Sequence, residues 1–314
     1  MTGAQRPDGV DVGLPRLAKA LFACRVAFFD ANDSHWDPAP GSAAAADAAA
    51  LPSPDPRLDQ PAGTSGFDLI TEAVSSYLLV ASGHLGGLAA LHAAGEVVFP
   101  PGMLVRAVLE NCARAMWILG DETSTPQDRL ARAYLEDLLS AEEGKKNAGR
   151  LGPKNGDGHV QAAAAFKRLR NDVVALFPGA TLEELNKGQL AGETLLRPEA
   201  CVMWMYDFLH ARTGSSIDAR TGQGVYGFLS NMTHPTLYPV RQLREWHPAA
   251  DHDGHMQSRL VVDVDYLERQ ASAAVVAFYN ALSYVMNYYG WPRDAHDRLT
   301  AALDRFLPGT FLPK

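Results

Sequence analysis

The fold is decided by Met103–Leu119, MLVRAVLENCARAMWIL, an apolar stretch whose three charged residues, Arg106, Glu110 and Arg114, are spaced four apart. Residues four apart lie nearly above one another on a helix, so the three form one polar line. A charge on an otherwise buried helix is costly unless it is paired. The pattern therefore predicts a core helix whose charged line faces a polar partner.

A second polar line follows far downstream, in GVYGFLSNMTHP (Gly224–Pro235). Tyr226, Ser230 and His234 recur there with the same spacing of four. We expect the two lines to face each other across an internal pocket. Such a pocket would hold two guanidinium groups, a carboxylate, two hydroxyls and an imidazole. It would suit a small anionic or polar ligand.

The residue types suggest roles within this pocket. His234, Arg106 and Glu110 are the candidate catalytic residues, because a histidine at a helix C-terminus facing a carboxylate is a general acid or base near neutral pH. The second guanidinium of the Arg-Glu-Arg line would remain to bind an anion. The candidate ligand-binding residues are Arg114, Tyr226, Ser230 and His84.

A purely structural role competes with each assignment. The Arg-Glu-Arg line is also typical of a salt-bridge ladder that holds helices in register, and His234 of a hydrogen-bonded core histidine. If Glu110 neutralises buried arginines, Glu110→Ala should destabilise the fold by roughly 3 kcal/mol or more. If His234 is catalytic, His234→Ala should abolish any activity.

The remaining sequence predicts an all-α protein, a multi-helix bundle with mostly antiparallel neighbours. Residues 1–36 predict an N-terminal helix that docks on the main body. Residues 37–66 are half Pro and Ala and predict a flexible, partly extended linker. Residues 67–314 carry helical signals almost throughout and predict the helical-bundle domain.

Composition limits the function and the compartment. The chain has 314 residues and a formal net charge of -8, which argues against a globally basic nucleic-acid binder. Its three separated cysteines favour reduced, buried thiols in a cytoplasmic protein.

The uncharged stretches Ala73–Gly95 and Gln270–Pro292 are long enough to span a bilayer. We interpret both as buried helices and expect no membrane partner.

One segment contains metal-ligand residue types. His247, His252 and His255 alternate with Asp251 and Asp253 in HPAADHDGH. Their spacing matches no established zinc motif and their context is polar, so a solvated loop is favoured. We predict no metal and no cofactor, and the sequence leaves open whether this loop binds a metal.

The patterns R-x-x-x-E-x-x-x-R (Arg106–Arg114) and Y-x-x-x-S-x-x-x-H (Tyr226–His234) together resemble a group of uncharacterised bacterial all-helical proteins similar to the HEPN-like superfamily. The resemblance implies a helical bundle that dimerises. In many such proteins R-x4-6-H is a ribonuclease motif of toxin or defence systems. Arg241 and His247 match it here. Arg241 would hold phosphate, and His247 would transfer a proton during cleavage by a ribose 2′-hydroxyl.

Three functions therefore remain open. The first is a ligand-binding or interaction module with an Arg/Glu/His-lined pocket. The second is a metal-independent HEPN-like ribonuclease, which the acidic balance disfavours, so RNA is not the preferred partner. The third is a small-molecule enzyme that uses His234 as its acid or base. The sequence does not reveal the ligand, the oligomeric state or whether a reaction occurs.

Overall fold

The computed structural model of the protein describes residues 10–33, 35–51, 66–215, 217–234, 236–248 and 256–309. Within these ranges the chain forms twelve α-helices and two small antiparallel strand pairs, which confirms the predicted all-α multi-helix fold. The helices are α1 (Val10–Asn32), α2 (Ala43–Ala50), α3 (Gly66–Ala94), α4 (Pro100–Leu119), α5 (Pro126–Leu151), α6 (Asp157–Leu176), α7 (Leu182–Asn186), α8 (Pro198–Thr213), α9 (Ala219–Thr233), α10 (Tyr238–Gln242), α11 (Val264–Tyr289) and α12 (Asp294–Phe306). The strand pairs are β1 (Gln189–Leu190) with β2 (Glu193–Thr194), and β3 (Arg244–Pro248) with β4 (Met256–Leu260).

Helix α4 lies at the centre of the fold. It begins with Pro100 and Pro101, whose fixed φ angle suits a first turn, and it ends at Gly120, which has a φ of 70°. The helix packs against α3, α5, α8, α9 and α11. Because its neighbours surround it, most of its length from Val105 to Leu119 is buried. The Arg-Glu-Arg line therefore lies in or beside the core, as the sequence predicts.

Helix α1 packs on α3, α11 and α12. Leu17, Leu21 and Phe28 are almost fully buried in this contact. These apolar side chains explain why the N-terminal helix docks on the body, since their burial removes large apolar surfaces from water. The described part of the chain thus shares one continuous hydrophobic core that includes α1.

The prediction of an extended linker at 37–66 is wrong for α2, which lies inside that stretch. Ser42 caps its first turn by accepting a backbone hydrogen bond, and alanine has the highest helix propensity. Asp47 then anchors the helix from a buried position. It accepts hydrogen bonds from Arg129 Nη1 (3.1 Å) and from Tyr288 Oη (2.7 Å). Residues 52–65 of the predicted linker lie outside the described residues.

The structure also differs from the solvated loop that was expected around His247. His247 lies in β3 of the β3–β4 hairpin, which follows α10. The hairpin pairs Trp246 with Ser258 and His247 with Gln257. Both strands are largely exposed, so their weak apolar patterning gave little signal in the sequence.

Two predictions about buried segments can be compared with the structure. Cys24, Cys112 and Cys201 are free and buried, as expected. Among the described helices, α3 is the one long and apolar enough to cross a membrane, with 39% of its most apolar window buried. Core helices also pass that test of length and composition.

Candidate functional site

The two predicted polar lines meet where α9 crosses α4. Arg106 Nε donates to Glu110 Oε1 at 2.8 Å, and Arg106 Nη2 donates to Tyr226 Oη at 2.8 Å. The Tyr226 hydroxyl in turn donates to the same Glu110 oxygen at 2.7 Å. The three side chains form a closed ring of charge-assisted hydrogen bonds between the helices, a strong arrangement for such groups.

The free end of the same guanidinium binds the last turn of α9. Arg106 Nη1 donates to Ser230 Oγ at 3.3 Å and to Thr233 Oγ1 at 2.7 Å. Its carbon lies 4.9 Å from the centre of the Tyr226 ring, a cation–π contact. We call Arg106, Glu110, Tyr226, Ser230 and Thr233 the α4–α9 cluster. The sequence analysis missed Thr233, although it lies seven residues after Tyr226 and hence on the same helical face.

The electrostatics of this cluster favour fixed protonation states. Burial, followed by the hydrogen bond to Glu110, raises the pKa of Tyr226 to about 12. Burial opposes the charge on Arg106, but the bond to Glu110 and its carboxylate charge outweigh burial and raise the arginine pKa. Neither group therefore exchanges a proton near neutral pH. The cluster fastens α9 to α4.

Arg114, the third residue of the α4 line, lies apart from this cluster. Its Nη1 donates to Glu136 Oε1 at 2.6 Å, and Tyr77 Oη donates to Glu136 Oε2 at 2.6 Å. The expectation of a second guanidinium left to bind an anion is therefore wrong, because Glu136 of α5 neutralises it. Burial raises the pKa of Glu136, against the lowering influence of Arg114 and Tyr77.

The two histidines assigned to the pocket are not brought to the cluster. His234 follows the last turn of α9 and is exposed, and no hydrogen bond within the described residues joins its imidazole to Arg106 or Glu110. His84 is half-buried on α3. Of the predicted pocket residues, the structure thus brings four together: Arg106, Glu110, Tyr226 and Ser230. Arg114 pairs with Glu136 instead, and within the described residues His234 and His84 form no hydrogen bond with the cluster.

The two residues of the alternative nuclease pair lie on the surface. Arg241 is in α10 and His247 in β3, and both are exposed. His247 Nε2 lies 3.4 Å from Glu245 Oε2. His252 and His255 lie outside the described residues. Within the ranges that the structure describes, no group of three His, Cys, Asp or Glu side chains is arranged to hold a metal ion.

A cavity of about 1080 Å³ opens on the neighbouring face of α9. Its walls come mainly from α9 and α11, and Val105 of α4 contributes to the lining. We call it the α9–α11 cavity. Its apolar lining comprises Val105, Tyr206, Ile217, Val225, Phe228, Leu229, Leu243, Ala273 and Val276. Its polar lining comprises Thr221, Gln242, Asp265, Tyr266, Glu268, Arg269, Gln270 and Ser272.

Polar side chains of α11 are concentrated near its start, beside this cavity. Gln270 Nε2 donates to Tyr266 Oη at 2.7 Å, and Gln270 is buried. Burial raises the pKa of Tyr266 to about 12. These residues were not predicted from the sequence, although Tyr266 and Gln270 are four apart on α11, the same spacing that identified Arg106 and Glu110.

A second groove of about 820 Å³ lies between α1, α3 and α12. Its lining is rich in alanine, with Phe22 and Phe306 as its aromatic residues. Lys19, Asp30 and Arg298 are its charged residues, and Arg298 Nη2 is paired with Asp30 Oδ2 at 2.7 Å. This groove therefore offers fewer polar contacts than the α9–α11 cavity.

Comparison of the chain with protein-family models, with curated proteins and with solved structures gives no match.

Proposed function

We propose that the protein binds a small molecule and that the α9–α11 cavity is its binding site. The observation that carries the proposal is the cavity itself, about 1080 Å³ with largely apolar walls and with polar side chains that come mainly from the first half of α11. Small-molecule sites typically have this size and this balance of apolar walls and directed polar groups. We therefore propose ligand binding, as the sequence predicted, but assign it to the face of α9 that lies beside the polar lines and not to the polar lines themselves.

The α4–α9 cluster supports this proposal by holding the cavity wall in place. Tyr226 and Ser230 face α4, whereas Val225 and Phe228 of the same helix line the cavity. Consecutive helical residues point about 100° apart, so one helix can serve both purposes. A wall that is already fixed need not be ordered when the ligand binds, which favours affinity.

The saturated hydrogen bonding of the cluster favours binding over catalysis. Arg106 directs its guanidinium to Glu110 and to three hydroxyl groups, so little of it remains for a substrate. The exposed His234 is not positioned against a nucleophile or a carboxylate of the cluster. We therefore propose a non-catalytic binding protein.

The experiment measures binding of Nile red, a neutral apolar dye whose fluorescence rises in apolar surroundings, to the full chain and two matched variants. Gly224 lines the cavity and Gly227 does not, and a Cβ atom at either position would meet no atom within 4 Å. Gly224→Phe should place a ring in the cavity, whereas Gly227→Phe should change α9 without filling it. Both variants gain similar helix propensity.

We expect saturable binding of one dye to the wild type, at least tenfold weaker binding to Gly224→Phe, and wild-type affinity for Gly227→Phe. Absence of saturable binding to the wild type would refute the proposal. Equal affinity of Gly224→Phe and the wild type would refute it as well, because the dye would then bind at another place such as the α1–α3–α12 groove.

A further inference from the structure

Three charged residues of α11 line the α9–α11 cavity, and they differ in whether they form an ion pair with another part of the chain. Glu268 is paired with Arg16 of α1, whose Nη2 lies 2.9 Å from Glu268 Oε2. Asp265 and Arg269 are exposed. Within the described residues Arg269 forms no ion pair and no hydrogen bond, so its guanidinium retains its capacity to bind a ligand.

The hydroxyl of Tyr266 has a similar unused capacity. Its oxygen accepts a hydrogen bond from Gln270 Nε2, so the hydroxyl proton is left to donate to another acceptor. Burial keeps this hydroxyl protonated by raising its pKa to about 12, and the positive charge of Arg269 partly opposes that rise. Tyr266 and Arg269 both line the cavity and are three residues apart on α11, so the two donors lie near each other at the cavity wall.

Building on the proposed function, we propose that the α9–α11 cavity binds an amphipathic monoanion, a carboxylate carried on an aromatic or aliphatic body. Arg269 binds the carboxylate by charge-assisted hydrogen bonds, and the Tyr266 hydroxyl donates to one of its oxygens. Both donors match the acceptor-only character of an ionised carboxylate. Gln270 is a positioning residue, since it engages the tyrosine oxygen and leaves the proton for the ligand.

The apolar lining accounts for the body of the ligand. Val225 and Phe228 from α9 line the cavity together with Ala273 and Val276 from α11. Ala273 and Val276 follow Arg269 by four and seven residues, so they lie on the same face of α11 as the guanidinium. A ligand bound at Arg269 can therefore extend its apolar part along this face. Its burial supplies affinity, and the carboxylate supplies orientation.

The test compares 2-naphthoate with the nearly isosteric neutral 2-naphthamide as competitors of Nile red. With the wild type we expect 2-naphthoate to bind about fivefold to tenfold more tightly. Arg269→Gln should remove this preference. Arg220→Gln is the matched control, because it deletes the same charge at an exposed position of α9 that does not line the cavity. Tyr266→Phe should weaken both competitors, since the amide oxygen also accepts from the hydroxyl.

The outcomes separate this inference from the proposed function. In one outcome Nile red binds to the wild type and is blocked by Gly224→Phe, while the two competitors displace the dye equally or not at all. That result would refute the monoanion as the ligand and would leave the cavity supported as a binding site. If Arg220→Gln removes the preference for 2-naphthoate as fully as Arg269→Gln does, the preference comes from long-range electrostatic attraction. A direct contact between Arg269 and the carboxylate would then be refuted. If Nile red itself fails to bind in the cavity, both proposals fail.

Discussion

Arg106 and Arg114 lie on the same polar line of α4, yet they differ in burial and in the residues that they contact. The Arg106 side chain is 21% exposed and shares Glu110 of its own helix with Tyr226, whereas Arg114 is 9% exposed and pairs with Glu136 of α5. The cause lies in the neighbours, because α9 supplies hydroxyl groups at one end and α5 supplies a carboxylate at the other. A repeated charge on a core helix thus indicates that partners exist, and the surrounding helices decide which ones.

The largest expected effect concerns the buried end. Glu136→Ala leaves Arg114 buried without its carboxylate and leaves the Tyr77 hydroxyl without its acceptor. We expect a loss of about 3–5 kcal/mol in the free energy of unfolding, as for other broken buried ion pairs. Urea unfolding at neutral pH measures this loss.

Glu142→Ala is the control for this prediction, because Glu142 lies on the same helix and pairs with Lys146 at the surface, where its side chain is 40% exposed. That variant should lose less than about 1 kcal/mol. A second variant, Arg114→Leu combined with Glu136→Leu, should recover most of the stability, since no unpaired charge remains. Equal stabilities of Glu136→Ala and Glu142→Ala would contradict the contrast between buried and exposed pairs.

A smaller effect follows from the titration of the same carboxyl. Burial raises the pKa of Glu136 above its ordinary value of 4.5, so the folded protein holds this proton over a pH range in which the unfolded chain has released it. The part of the stability that comes from this retained proton is therefore full below pH 4.5 and is lost as pH rises through the raised pKa. The change should be smaller than the loss in Glu136→Ala.

The measurement subtracts the free energy of unfolding of Glu136→Gln, which cannot titrate, from that of the wild type between pH 4 and pH 7. The difference should fall as pH rises. The buried His92 and His296, whose pKa values burial lowers, also make stability depend on pH, but they are present in both proteins and their effects cancel. A difference that rises with pH would mean that the charge of Arg114 dominates over burial.

The sequence predicted the helical class and the central helix because these depend on local signals. Apolar periodicity marks α4, and Thr125 with Pro126 marks the start of α5, where Thr125 Oγ1 accepts from the backbone of Asp128. The helix α2 was missed for a physical reason. Its stability depends on Asp47 contacting Arg129 and Tyr288, which are far away along the chain.

The site was predictable to a similar extent. The spacing of four predicted that Arg106 and Glu110 share one helical face and that Tyr226 and Ser230 share another, because the face on which a helical residue lies depends only on its position along that helix. Spacing gave no means of choosing between Glu110 and the distant Glu136 as the partner of Arg114. Nor did it predict the α9–α11 cavity, since an unfilled space between two helices depends on how they pack and leaves no pattern in either helix.

The smallest effect concerns the half-exposed end of the α4 line and revises the sequence-based expectation for Glu110. Glu110→Ala should lower the free energy of unfolding by about 1–2 kcal/mol rather than 3 kcal/mol or more, because Arg106 keeps its three hydroxyl partners and remains partly solvated. The loss should be localised, since the carboxylate bridges Arg106 and Tyr226 between α4 and α9. Hydrogen exchange should accordingly quicken in the amides of α9 and stay unchanged in those of α5. The contrary result would be a loss of stability as large as that of Glu136→Ala, with faster hydrogen exchange in both α9 and α5. It would mean that the two ends of the line form one cooperative network and that their difference in burial does not affect stability.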